Sequence, residues 1–129
     1  MPRAHLILYV RDQAQAASRD FYVKVLKRAP TLDVPGMTEL ELADGAVLGL
    51  MPEAGITRLL GAVVDPSQLR AAGRAELYLL VEDPGAHHGR ALAFGARELS
   101  PLSPRDWGHV AAYSLDADGY VLAFAAAMT

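Results

Sequence analysis
The chain has 129 residues, 52% of them hydrophobic, which is one domain's length with enough apolar side chains for a core. Twelve Lys and Arg stand against 15 Asp and Glu, and the net charge of −3 disfavours a nucleic-acid binder, whose phosphate contacts need a cationic face. The lack of cysteine excludes disulfides, thiolate nucleophiles and cysteine-ligated metal centres. The opening apolar segment is broken by Arg11 and Asp12, too short for a bilayer and without a signal-peptide cleavage pattern, so no membrane association and a cytoplasmic location are expected.

From the N-terminus, Leu6, Leu8 and Val10 alternate with His5, Ile7 and Tyr9, which predicts a strand with two distinct faces. Asp12 is the expected N-cap of a following helix, with Gln15 at the capping-box position. Ala14, Ala17, Phe21 and Val25 carry the helical spacing, and Pro30 blocks continuation. Thr38 to Leu42 alternates cleanly, Asp44-Gly45 is a type I′ hairpin signal, and Ala46 to Met51 is the return strand. Residues 52–74 hold Gly55, Gly61, Pro66 and Gly73 and read as a connecting loop with one helical turn near Ser67 to Ala71.

The same grammar then repeats. Ala4 to Asp12 reads onto Ala75 to Asp83, and Asp44 to Leu50 reads onto Asp118 to Phe124, in the same order and at nearly the same offset. Glu76 to Val81 is a predicted strand, Asp83-Pro84 an N-cap followed by proline at the first helical position, and Gly95 a helix stop. Arg97 to Leu99 is a short strand, and Gly108 to Leu115 and Tyr120 to Ala126 form a hairpin around Asp118-Gly119. The expectation is one α+β domain over 1–129, built as two tandem β-α-β-β-β modules at about 4–51 and 75–126, the middle strand weak in the first copy.

Alternation assigns faces. Leu6, Leu8, Val10, Leu40, Leu42, Leu48, Leu50, Leu77, Leu79, Val81, Leu122 and Phe124 are expected beneath the helices. His5, Ile7, Tyr9, Glu39, Glu41, Val47, Gly49, Met51, Glu76, Tyr78, Leu80, Val121 and Ala123 fall on the other face.

Two such modules, with Trp107-Gly108 ahead of Leu115-Asp116-Ala117-Asp118-Gly119-Tyr120, resemble the vicinal oxygen chelate superfamily of glyoxalase I, extradiol dioxygenases and bleomycin-resistance proteins. The opening His5 strand, Phe21-Tyr22 and Leu26 add to the likeness. The resemblance implies sheets curled into a cupped, incomplete barrel, often completed in a homodimer. It also implies metal ligands on the first and last strand of each module. Here those positions hold His5 and Glu76, but also Gly49 and Ala123, which have no donor atom. His5 and Glu76 are therefore a partial metal set, expected to stay without an ion, because a catalytic divalent metal needs about three protein ligands.

The remaining candidates on the face the family uses are Tyr9, Glu39, Glu41, Glu76, Tyr78, Trp107, His109 and Tyr113, where rings could stack on a flat ligand and carboxylates could attract a cation. His87-His88 reads as a surface pair, since neighbours on a helix do not share a face. Asp116 to Gly119 reads as a hairpin turn rather than a calcium loop, because the later ligands are missing. The resemblance and the absent ligands together imply a cofactor-free protein of the bleomycin-resistance type that binds an aromatic or cationic organic compound. The alternative is a metal-dependent lyase, isomerase or dioxygenase with a non-standard ligand set, so whether the chain is an enzyme stays open.

Overall fold
The computed structural model describes residues 3–68 and 75–128. The chain divides into two compact units, Met1–Arg70 and Ala71–Thr129. Each holds an open four-stranded mixed sheet, not closed into a barrel.

In the first unit the elements are β1 (Ala4–Val10), α1 (Gln15–Leu26), β2 (Leu32–Val34), β3 (Met37–Ala43), β4 (Ala46–Pro52) and α2 (Glu53–Leu60), in sheet order β1-β4-β3-β2. In the second they are β5 (Glu76–Leu80), α3 (Pro84–Ala93), β6 (Arg97–Pro104), β7 (His109–Leu115) and β8 (Val121–Ala127), in order β5-β8-β7-β6. The duplication in the sequence is thus a duplication of topology. In both units the first strand pairs parallel with the last, and the remaining pairs are antiparallel.

The cores follow from alternation. Leu8, Val10, Leu40, Leu48 and Leu50 are buried in the first unit and Leu77, Leu122 and Phe124 in the second. A fully buried leucine of this kind contributes about 2–3 kcal/mol. The central strands depart from the expected two-faced pattern: Val47 to Leu50 and Leu122 to Ala125 are buried continuously. Leu6 is 39% exposed, and Leu42, Leu79 and Val81 are only half-buried.

The helix signals were partly redirected. α1 starts at Gln15 with Ala14 as N-cap and no side-chain cap. Its buried face is Ser18, Tyr22 and Val25, one residue round from the expected Ala17 and Phe21. Asp12 instead accepts the Ala54 N–H at the start of α2 (2.9 Å). The Gln15 amide donates to Val34 O and Thr38 Oγ1 and accepts from Gly36 N–H, which ties α1 to the β2–β3 hairpin. The second unit keeps the expected signals. Asp83 accepts from Ala86 N–H (3.1 Å), and Pro84 occupies the first turn. Gly95 at φ 112° closes α3, with Ala96 N–H reaching Ala91 O and Gly95 N–H reaching Leu92 O, the double bond pattern of a Schellman end.

Three further expectations are corrected. The connection contains the eight-residue α2 straight after β4, and its helical turn is a 3-10 turn at Pro66–Gln68; residues 69–71, where that turn was expected to continue, lie outside the described residues. The loop reading missed α2 because Gly55 sits inside it, in contact with Met51. β6 runs to Pro104, since a sheet-edge strand with register shifts tolerates Pro101 and Pro104. The Asp44-Gly45 turn is not type I′: Gly45 has φ 80°, but Asp44 is not in the left-handed region, and the strand pair carries a shift between Glu41 and Ala43.

Candidate functional site
The register fixes which side chains meet on the face opposite the helices. In the second unit, Tyr78, Ala123 and Tyr113 lie in one cross-strand row, with Glu76, Val121 and Leu115 in the row beside it. Ala123 carries no more than a methyl group, so two tyrosines flank a position without bulk. His109 is at the start of β7, on the same side as Tyr113 by the strand's alternation.

A turn from Arg105 to His109 delivers Trp107 to this row. Arg105 N–H bonds His109 O (2.7 Å), and Gly108 at φ 89° takes the left-handed step the turn requires. The Trp107 indole N–H donates to the Tyr78 hydroxyl (2.9 Å), and that hydroxyl lies 2.7 Å from His109 Nδ1. All three groups are satisfied when Tyr78 donates to Nδ1 and the imidazole carries its proton on Nε2. The Tyr78 and His109 rings stack with centroids 5.9 Å apart. Trp107 is 55% exposed, so one face of this cluster meets solvent.

Arg105 completes the arrangement and was not among the candidates read from the sequence. Its guanidinium sits 5.1 Å over the Tyr113 ring and donates to Ala111 O, Pro101 O and Ser100 Oγ. The available signal was a cation two residues ahead of the Trp107-Gly108 pair. Burial, reinforced by Glu76 and Tyr78 and opposed by Arg105, holds the Tyr113 phenol above its ordinary pKa, so it stays a hydrogen-bond donor at neutral pH. Five of the sequence candidates therefore lie in one unit: Glu76, Tyr78, Trp107, His109 and Tyr113.

The others, His5, Tyr9, Glu39 and Glu41, belong to the first unit. The row equivalent to Tyr78–Ala123–Tyr113 is Ile7–Gly49–Glu39. His5 Nδ1 lies 3.3 Å from Glu39 Oε2, an ion pair spanning β4 when the ring is charged. His5 thus has a carboxylate partner within its own unit.

This donor set does not fit a catalytic divalent ion. Gly49 and Ala123 offer no ligand atom, and a Cβ on Gly49 would stand 2.5 Å from Ile7 Cδ1 and 3.3 Å from the Met37 sulfur, so that space is already filled. Among the described residues no three His, Cys, Asp or Glu side chains gather into a group able to hold a metal.

Two other expectations about polar groups meet the structure differently. Asp116 behaves as a turn residue, its Oδ1 accepting from Asp118 N–H and Tyr120 N–H. His88, expected at the surface, is 6% exposed: Pro84, His88 and Ala91 form the buried stripe of α3, and Glu98 on β6 lies 2.9 Å from His88 Nε2.

The sequence profile of the Glyoxalase/Bleomycin resistance protein/Dioxygenase superfamily matches residues 3–124. The chain belongs to this superfamily. A glyoxalase-related enzyme from Fulvimarina pelagi superposes with a TM-score of 0.81 at 23% identity, over 95% of this chain and 86% of that one. A glyoxalase/bleomycin resistance protein/dioxygenase family enzyme from Burkholderia phytofirmans PsJN gives 0.76 at 16% identity, over 99% and 100%. A glyoxalase/bleomycin resistance protein from Catenulispora acidiphila gives 0.69 at 22% identity, over 99% and 100%. No curated protein matches the chain. At these identities the likeness establishes the superfamily fold; the chemistry of this member rests on its own residues. Among the described residues no helix is long and apolar enough to cross a membrane.

Proposed function
We propose that this superfamily member is a metal-independent binding protein of the bleomycin-resistance type, which takes a small aromatic organic compound on the second unit's aromatic cluster. The observation that carries the reading is the Trp107–Tyr78–His109 hydrogen-bonded group beside Tyr113. Hydrogen bonds hold the rings in place before a ligand arrives, which lowers the ordering cost of binding, and their faces suit stacking on a flat molecule. The aromatic arm of the expectation is better supported than the cationic one. Glu39 is engaged by His5, and the cluster itself carries Arg105.

Titration of Trp107 fluorescence against planar aromatic compounds of either charge tests the reading. A saturable change with a raised melting temperature is expected for at least one class, and no response across the panel refutes it. Metal analysis of protein prepared without chelators separates the enzymatic alternative. Substoichiometric Zn, Ni, Mn and Fe is expected; stoichiometric metal that is lost on His5→Ala overturns the proposal.

A further inference from the structure
The aromatic cluster has a rim of hydrogen-bonding groups without a partner among the described residues. Arg105 spends Nε and Nη2 on Ala111 O, Pro101 O and Ser100 Oγ, and its Nη1 has no partner among the described residues. No carboxylate pairs with Arg105 there either. The Tyr113 hydroxyl makes no hydrogen bond among the described residues, and His109 uses Nδ1 alone, leaving Nε2, which is a donor in the tautomer that takes the Tyr78 proton at Nδ1. Among the described residues that are not exposed, His88 Nδ1 is the buried side-chain nitrogen or oxygen without a partner, so Arg105 Nη1, Tyr113 Oη and His109 Nε2 all reach solvent.

We propose that Arg105, with Tyr113 and His109, forms an anion-recognising edge to the aromatic cluster, so that the compound bound is a planar aromatic ring system bearing an anionic oxygen group, a carboxylate or phenolate. The inference rests on the aromatic reading above and narrows its ligand class. Arg105 is suited to the task because its planar fork is already fixed by carbonyl oxygens and by the Tyr113 ring, so little freedom is lost on meeting an oxyanion. A half-buried guanidinium without a counter-charge gains more from an incoming anion than a fully solvated one would. Glu76 is the opposing charge on this face. It is exposed and so the more strongly screened of the two.

Calorimetric titration with 2-naphthoate, 2-naphthamide and 2-naphthylmethylammonium tests this. All three share a ring system and differ in the charge of the group it carries. The carboxylate is expected to bind about 10- to 100-fold tighter than the ammonium compound, the range of a charge-assisted hydrogen bond, and to weaken with added salt. Arg105→Gln is expected to abolish that preference, bringing the carboxylate and ammonium affinities to within about threefold of each other, and Arg105→Lys to retain part of it. Substitution of phenolate for carboxylate, with 2-naphthol titrated above and below its own pKa, then separates the two anionic groups. Equal binding of carboxylate and ammonium compounds to the unaltered protein, or a preference that survives Arg105→Gln, overturns the inference and leaves the aromatic reading standing. Failure of all three compounds to bind overturns both.

Discussion

The two units share strand order, pairing and core, yet the equivalent rows on their far faces differ in chemistry. The first presents Ile7, Gly49 and Glu39, with Ile7 and Met37 filling the space over the glycine and His5 engaging the carboxylate. The second presents Tyr78, Ala123 and Tyr113, with Trp107, His109 and Arg105 brought in by one turn. One half of the duplicated scaffold pairs His5 with Glu39 on this face, and the other leaves Arg105 Nη1 and the Tyr113 hydroxyl without a partner among the described residues. Scaffold and site are separable: the buried residues that hold each sheet together are not the ones that distinguish the halves.

The largest expected effect lies in what the halves share. Phe124→Ala is expected to cost about 3–5 kcal/mol and Leu48→Ala about 2–5 kcal/mol, measured by urea unfolding, because each empties a fully buried position. Similar losses would show that the two cores carry equal weight. The binding contrast comes next. Trp107→Ala is expected to weaken an aromatic ligand about tenfold or more, and His5→Ala by no more than about twofold, in calorimetric titration. Equal losses would erase the distinction drawn here.

Capping gives a smaller contrast. Asp83→Ala removes a local cap from α3 and Asp12→Ala a long-range one from α2; each is expected to cost about 0.5–2 kcal/mol in thermal unfolding. Tyr78→Phe deletes the hydroxyl that joins Trp107 to His109, and is expected to shift Trp107 emission and cost about 0.5–1.5 kcal/mol. The smallest effect concerns pH. The Thr38 hydroxyl, then Arg19, holds the Asp33 carboxyl below its ordinary value. Its stabilising contribution is therefore complete above the usual aspartate pKa of about 4 and fades as pH falls through the lowered folded value. Asp33→Asn is expected to flatten that part of the stability–pH profile.

How much of this was legible depended on whether the controlling interaction was local. Asp83, Pro84 and Gly95 act within a few residues of their own helix, and the sequence announced that helix correctly. Asp12 and Gln15 carry equally good local signals, but their bonds run to Ala54, Val34, Gly36 and Thr38, distances along the chain that no window captures. Strand alternation assigned Glu76 and Tyr78 to one side, and the register puts Tyr113 in the same row as Tyr78. It could not reveal Arg105, whose role comes from a turn that folds its guanidinium back over Tyr113. Nor could it show His88 as buried, since that follows from which side of α3 packs inward, with Pro84 and Ala91 in the same buried stripe.

The parallel pairing of β1 with β4 has a consequence for synthesis. A strand reading Leu-Ile-Leu is made well before its hydrogen-bonding partner, β4, which follows some forty residues later. Until then the nascent chain exposes an unsatisfied, strongly β-prone edge, and the episode repeats with β5 and β8. Pausing translation just short of Ala46 or Val121 would therefore hold the polypeptide with β1 or β5 made and its parallel neighbour still missing.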